Sequence, residues 1–308
     1  MNFFVFNWKG PFMVSVPLAQ PPQVPASAAK VSWRPVAWFG FLLVLCYAPI
    51  LYRMAMQWAN DEDMGHGFFV PLVAGFIAWQ RRDALLAAER KPNGWGLFLV
   101  IFAALEALVA TLGAELFTAR LAFVIALTGV VLFLGGKQWI KVLSFPLLLL
   151  LFMIPIPAII YAHLTLNLQT LASELGELLI GWMGIPVLRA GNTLQLPSQT
   201  LDIAEACSGI RSLLSLGFLS LVYAYFTDKR VWMRWALLIL TIPIAIGANG
   251  VRVAVTGWLS EINTKLASGL YHEGEGYIVF VVALIALFLA HRLINWTSKK
   301  FTGAAIHA

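Results

Sequence analysis

The sequence predicts an all-α polytopic membrane protein: about eight transmembrane helices, an outer amphipathic helix and a short β-hairpin platform. Three observations carry that prediction. Of 308 residues, 60% are hydrophobic and 12% charged, against about 25% charged in ordinary globular domains. Mean hydropathy is +0.81. Apolar runs near membrane length recur along the chain, and the basic residues gather in alternate connections between them. A span uses about 20 residues, so eight fit with short connections and little remains for a separate soluble domain. The composition excludes a soluble enzyme.

The elements follow in order. Residues 1–32 hold five prolines between Pro11 and Pro25 and read as a disordered cytoplasmic lead-in. A transmembrane domain is expected over 33–296, with an outer insertion at 161–206 and a cytoplasmic tail at 297–308. Apolar runs lie at about 36–57, 67–80, 95–112, 117–135, 139–160, 208–226, 232–249 and 276–292. The second is short, but Trp79 and the Arg81-Arg82 pair read as an interfacial stop. After the Pro155 to Pro157 break, Leu164, Leu168, Leu171, Leu175, Leu178 and Trp182 recur at helical spacing, with Asn167, Thr170, Glu174 and Glu177 on another face. This helix lacks a basic face, so packing on the protein's own spans is expected. Val187 to Leu196 and Thr200 to Ala204 alternate apolar and polar residues around Gly191-Asn192 and Pro197-Ser198, the signature of short strands joined by tight turns.

Sidedness follows from charge. With both termini inside, the inner segments hold 15 of the 21 basic residues, and only Arg53, Arg120, Arg189, Arg211, Arg252 and Lys265 fall outside. Both termini are therefore expected in the cytoplasm. The net charge of +6 reads as this orientation bias and as contact with membrane lipid, with no nucleic acid partner.

Ionisable groups at a span centre cost roughly 2.5 to 3.5 kcal/mol, so unusual ones are functional candidates. The densest cluster is Glu205-Ala206-Cys207-Ser208-Gly209-Ile210-Arg211-Ser212, at the outer mouth of the sixth span. A helix N-terminus and Arg211, four residues on, both favour a Cys207 thiolate and hence a nucleophile. Cys46, in mid-span between Leu45 and Tyr47, is expected to be inert packing, too different in depth to pair with Cys207. Two cysteines form no metal framework, and no cofactor is expected. Asn249 and Arg252, three residues apart in Ala248-Asn249-Gly250-Val251-Arg252-Val253, share a helix face. An Arg there can clamp a carboxylate or lipid phosphate, donate to an oxyanion, or snorkel to the headgroups. Of five histidines, His291 and His307 fall on the cytoplasmic side, and His163 reads as structural. His66 and His272 both remain eligible as acid or base. Glu106 is a lone carboxylate in the third span. Walker A, His-Glu-x-x-His and Gly-x-Ser-x-Gly motifs do not occur.

The Cys207 segment, with Asn249-Gly250-Val251-Arg252 and a His before the final span, resembles the exosortases. Similarity extends to His66-Gly67-Phe68-Phe69-Val70-Pro71, Phe152-Met153-Ile154-Pro155-Ile156-Pro157 and Gly184-Ile185-Pro186-Val187, covering roughly residues 36–292. The resemblance implies a bacterial inner-membrane cysteine protease or transpeptidase. Its expected partners are exported proteins whose C-terminal tails carry a Pro-Glu-Pro-like motif, a hydrophobic helix and a basic cluster, often in exopolysaccharide producers. It also implies Cys207 as nucleophile, Arg252 as oxyanion or thiolate partner and His272 as acid/base, with Arg211, Asn249 and His66 in support. A transporter or channel is the alternative from another class; it needs charge pairs along a midplane path, for which the sequence offers little beyond Glu106.

Overall fold

The computed structural model describes residues 33–203, 209–263 and 270–304, with side chains of the last segment described over 276–298. The order is α1 (Trp33–Asn60), a 3-10 turn (Glu62–Phe68), α2 (Phe69–Gln80), α3 (Arg82–Ala87), α4 (Trp95–Leu112), α5 (Leu116–Leu149) and a second 3-10 turn (Leu150–Met153). Then come α6 (Ala158–Trp182), strands β1 (Leu188–Ala190), β2 (Thr193–Gln195) and β3 (Thr200–Asp202), α7 (Ile210–Thr227), α8 (Val231–Ile262) and α9 (Leu270–Ala304). Among the described residues six segments are long and apolar enough to cross a membrane: Trp33–Asn60, Trp95–Leu112, Leu116–Met153, Ile210–Thr227, Val231–Ile262 and Gly276–Ser298. The chain is a multi-pass membrane protein.

The spans differ from the sequence-based expectation in three places. The fourth and fifth join in α5, bent at Gly136 (φ 75°, ψ −167°), and the second arm stops at Met153 before the prolines. A side chain at Gly136 would need φ in the left-handed region and would set its Cβ 1.9 Å from the Lys91 carbonyl oxygen. The expected second span is the 12-residue α2, about 18 Å long against a hydrocarbon core of about 30 Å. The seventh does not end at 249: α8 runs on through Arg252 for 32 residues, about 48 Å, and so outreaches the core.

Close backbone approach holds the bundle. A Cβ on Gly96 of α4 would lie 2.3 Å from the Phe133 backbone nitrogen of α5, and one on Gly129 would lie 2.9 Å from the Gly96 carbonyl. Between α6 and α8, a Cβ on Gly176 would meet Val253 at 2.4 Å, and one on Gly250 would meet Leu175 Cβ at 2.6 Å. In lipid, apolar side chains gain little by leaving their surroundings, so small residues that admit tight van der Waals contact make the helix interfaces.

Helix α6 packs differently from its leucine pattern: of the stripe, Leu164, Leu171, Leu178 and Trp182 are exposed, whereas Leu168 is buried with Ala172, Ser173, Gly176 and Ile180, and Leu175 lies against Gly250. Packing on the protein's own spans is as expected; the face that packs is the small-residue one. Cys46 likewise lies exposed on α1 instead of packed inside.

The strands form the expected antiparallel platform in the order β1-β2-β3. Ala190 pairs with Thr193 across Gly191-Asn192, and the positive φ of Gly191 (65°) fits a type II′ turn. The turn docks on α6: Asn192 Nδ2 donates to Gln169 Oε1 at 3.1 Å, and Ser173 Oγ donates to the Gly191 carbonyl at 3.3 Å. Arg189 of β1 reaches Glu177 at 3.1 Å and Glu174 at 3.5 Å. Leu194, Leu196 and Ile203 then pack on Ala172, Ile180, Val253 and Ala254, so the platform braces the C-terminal half of α8.

Gly136→Ala is expected to destabilise the protein by at least about 2 kcal/mol, combining left-handed strain with overpacking. Gly75→Ala, where a Cβ meets nothing within 4 Å, is the control. Thermal unfolding in detergent checks the pair.

Candidate active site

Two motif segments far apart in sequence meet at the mouth of the bundle. In a continued helix the Met153 carbonyl would accept from residue 157, but Pro157 has no N–H. Trp58 supplies the donor instead, its Nε1 lying 2.9 Å from that carbonyl. The indole lies on Gly67, where a Cβ would fall 2.4 Å from Nε1. Next door, His66 Nε2 sits 3.2 Å from the Phe152 carbonyl. A carbonyl only accepts, so the neutral ring carries its proton on Nε2. His66 lines an apolar recess of about 180 Å³ with Met64, Phe152, Ile154, Ile156 and Leu214. Burial is the largest influence on the ring and lowers its pKa below the usual histidine value, outweighing the Phe152 and Asp63 groups that raise it.

Arg211 in the first turn of α7 is engaged by the acidic 3-10 turn. It donates to Asp63 Oδ1 at 3.1 Å and to Glu62 Oε2 at 2.5 Å. The Asp63 side chain is 16% exposed and that of Glu62 81%, so Asp63 is the stronger anchor. Tyr161 of α6 donates its hydroxyl to the other Asp63 oxygen. One carboxylate thus ties α6 and α7 to the turn that carries His66. Asp63 and Tyr161 join the candidate site by these contacts and were missed by sequence reasoning; the Asp61-Glu62-Asp63 run beside His66 was the available signal for the first.

Cys207 lies outside the described residues. Its neighbour Gly209 is described and caps α7 in the left-handed region (φ 68°). A Cβ there would fall 2.9 Å from Asn249 Nδ2, so Gly209 and the buried Asn249 are in close contact. One turn along α8, the Arg252 guanidinium lies against α9 at Gly276: a Cβ on that glycine would sit 3.4 Å from Arg252 Cζ. His272 is one turn before Gly276 in α9, and its side chain is outside the described set. The structure therefore joins the start of α7, the Asn249–Arg252 face and the first turns of α9.

His66 is not part of that junction. It faces the side of α7 marked by Leu214, Phe218 and Leu221, which packs on α2 and the second 3-10 turn, whereas Leu213 and Leu216 turn to α8 and α9. His163 is exposed on α6. His291 is held at the other end of the bundle, with Nδ1 2.9 Å from Tyr223 Oη and Nε2 3.3 Å from Asp228. Arg230, hydrogen-bonded to Asp228 at 2.6 Å, is the largest influence holding that carboxyl well below the usual carboxylate range. Among the described residues no group of three or more His, Cys, Asp or Glu could hold a metal ion.

The family model for transmembrane exosortase (Exosortase_EpsH) matches residues 58–289, and the chain belongs to this family of membrane-embedded peptidases and transpeptidases. Comparison with curated proteins returned no match, and neither did comparison with solved structures.

Gly209→Ala is expected to cost more stability than Gly184→Ala: both glycines have positive φ, but only the first meets another side chain. In a double-mutant cycle with Asn249→Ala, unfolding measurements should give a coupling of about 1 kcal/mol. A second expectation concerns pH. Because the folded state lowers the His66 pKa, unfolded chains bind the extra proton first, and stability falls as pH drops through the ordinary histidine value of about 6.5. His66→Asn should flatten that slope in detergent unfolding between about pH 5 and 8.

Proposed function

We propose that this exosortase is a cysteine peptidase or transpeptidase that removes the C-terminal sorting tail of exported proteins, with Cys207, Arg252 and His272 as its catalytic residues. The observation that carries the reading is the contact of the Arg252 guanidinium with α9 at Gly276, one turn from His272, while Asn249 on the same face touches Gly209, two residues from Cys207. The Cys207 thiolate attacks the scissile carbonyl carbon, and the resulting oxyanion is stabilised beside Arg252. Collapse breaks the C–N bond, His272 protonates the leaving amine, and a thioester to Cys207 remains. An acceptor amine resolves it as a transfer, and water resolves it as hydrolysis.

His66 serves as a positioning residue, because its side of α7 faces away from Arg252. Arg211 supports the centre by holding the first turn of α7 to Glu62 and Asp63. The three-stranded platform offers its edge to an extended Pro-Glu-Pro-like motif by strand addition, while the substrate's own helix lies against the spans. The charge distribution supports both termini in the cytoplasm of a bacterial inner membrane and a periplasmic active site.

Co-expression with a Pro-Glu-Pro-tailed protein tests this reading by gel mobility of the substrate. Cys207→Ala and Cys207→Ser should each leave the tail in place while the enzyme still accumulates in the membrane. Arg252→Ala should slow tail loss about 100- to 1,000-fold. Normal processing by both cysteine variants overturns the nucleophile.

A further inference from the structure

At the far end of α7, about 21 Å along the helix from Arg211, two arginines gather around one aromatic ring. Arg81, the C-terminal cap of α2, donates from Nε to Tyr225 Oη at 2.7 Å, and its guanidinium lies 5.4 Å from the ring centroid. Arg234, in the first turn of α8, lies 4.9 Å from the same centroid and 5.3 Å from Phe145. Phe145 and Tyr225 are stacked with centroids 4.3 Å apart, so one packed aromatic pair backs the two cations.

No carboxylate among the described residues answers them. Arg189, Arg211 and Arg230 each have an acidic partner, but among the described residues Arg81 and Arg234 have none within 4.0 Å. The nearby Asp228 gives its side chain to Arg230 and His291 and offers Arg234 only its backbone carbonyl, at 3.5 Å. Two like charges brought to one ring repel unless an anion joins them.

Depth identifies the anion's surroundings. Trp79 of α2 and Trp232 and Trp235 of α8 are each about half exposed or more and flank the same helix ends. Exposed tryptophans of this kind mark the headgroup level, where phosphodiesters are the abundant anions. Guanidinium forks match phosphate oxygens bidentately, and a fixed pair is more selective than scattered surface charge.

We propose that Arg81 and Arg234, mounted on the Tyr225–Phe145 stack, form a phosphate-binding site whose occupant is the headgroup of an anionic phospholipid. This site is separate from the catalytic residues and independent of the reading given to them. It anchors the junction of α2, α5, α7 and α8 to one leaflet.

The test uses the full chain in phosphatidylcholine nanodiscs doped with phosphatidylglycerol, with retained lipid counted by native mass spectrometry. The wild-type protein should retain phosphatidylglycerol selectively. Arg81→Gln and Arg234→Gln should each lower that selectivity about fivefold. Lys229→Gln, an exposed charge at the same end but outside the Tyr225–Phe145 stack, should change it less than about twofold, because a flexible, strongly hydrated ammonium adds charge without fixing one headgroup. Tyr225→Phe keeps the ring and both arginines but removes the Arg81 hydrogen bond, and should lower selectivity two- to fivefold, roughly the worth of one bond. It decides the matter should the arginine variants fail to accumulate. Inorganic phosphate that displaces the lipid at millimolar concentration would assign the site to free phosphate, whereas failure to displace it assigns the site to lipid. Unchanged selectivity in the arginine variants, or an equal loss with Lys229→Gln, overturns the proposal.

Discussion

The constraint on which this structure depends is the contact between α6 and the C-terminal half of α8. A helix of about 48 Å outreaches a hydrocarbon core of about 30 Å, and its excess needs a partner. That partner is α6, brought in by Gly176, Gly250 and Gly257, each of which leaves room for a side chain of the opposing helix. The glycine at 250 lies between Asn249 and Arg252, so the seam that fixes the helix also fixes the level of the two residues. The strands add a second brace, because Leu194 inserts where Ala172 and Val253 meet.

Polar groups at the mouth are arranged so that one residue satisfies several needs. Trp58 fills the surface of Gly67 and also donates to the carbonyl that Pro157 leaves without a helical partner. Asp63 joins Arg211 to Tyr161, linking elements 148 and 98 residues away in sequence. Breaking such a partnership costs more than the net worth of forming it, since a half-buried carboxylate or carbonyl left alone keeps its desolvation penalty. The mouth is therefore tied together, since the turn that carries His66 shares Asp63 with the start of α7 and with α6.

Much of this was legible in the sequence because bilayer thickness and turn chemistry act locally. The run from Trp95 to Leu112 was read to the residue, and Gly191-Asn192 announced the hairpin. The direction in which α6 faces was not legible. Residue type alone marks Leu164, Leu171 and Leu178 as a packing face, yet they are exposed, while Ala172 and Gly176, which admit close approach of α8, turn in. The end of α8 was misread for a related reason: Asn249, Gly250 and Arg252 look like the polar edge of a span, but α6 buries that stretch and lets the helix continue. The residues assigned to chemistry were legible as motifs. Asp63 and Tyr161 were not, since their partnership exists only once α6 returns over the acidic turn.

The two ends of α7 show how a cation's role depends on the partner that reaches it. At the mouth, Arg211 is met by two carboxylates and becomes a fixed strut, its charge largely cancelled where it stands. At the opposite end, Arg81 and Arg234 are met by aromatic faces, which hold a guanidinium in place without neutralising it. Held but uncancelled charge is what an interfacial anion requires, while a fixed strut suits a helix start that must not shift. About 21 Å of this 18-residue helix separates the two requirements, roughly two thirds of a hydrocarbon core. Exchanging the partners would fail at both ends: a carboxylate beside Tyr225 would exclude the phosphate, and an aromatic ring in place of Asp63 would leave both Arg211 and Tyr161 without the oxygen that joins them.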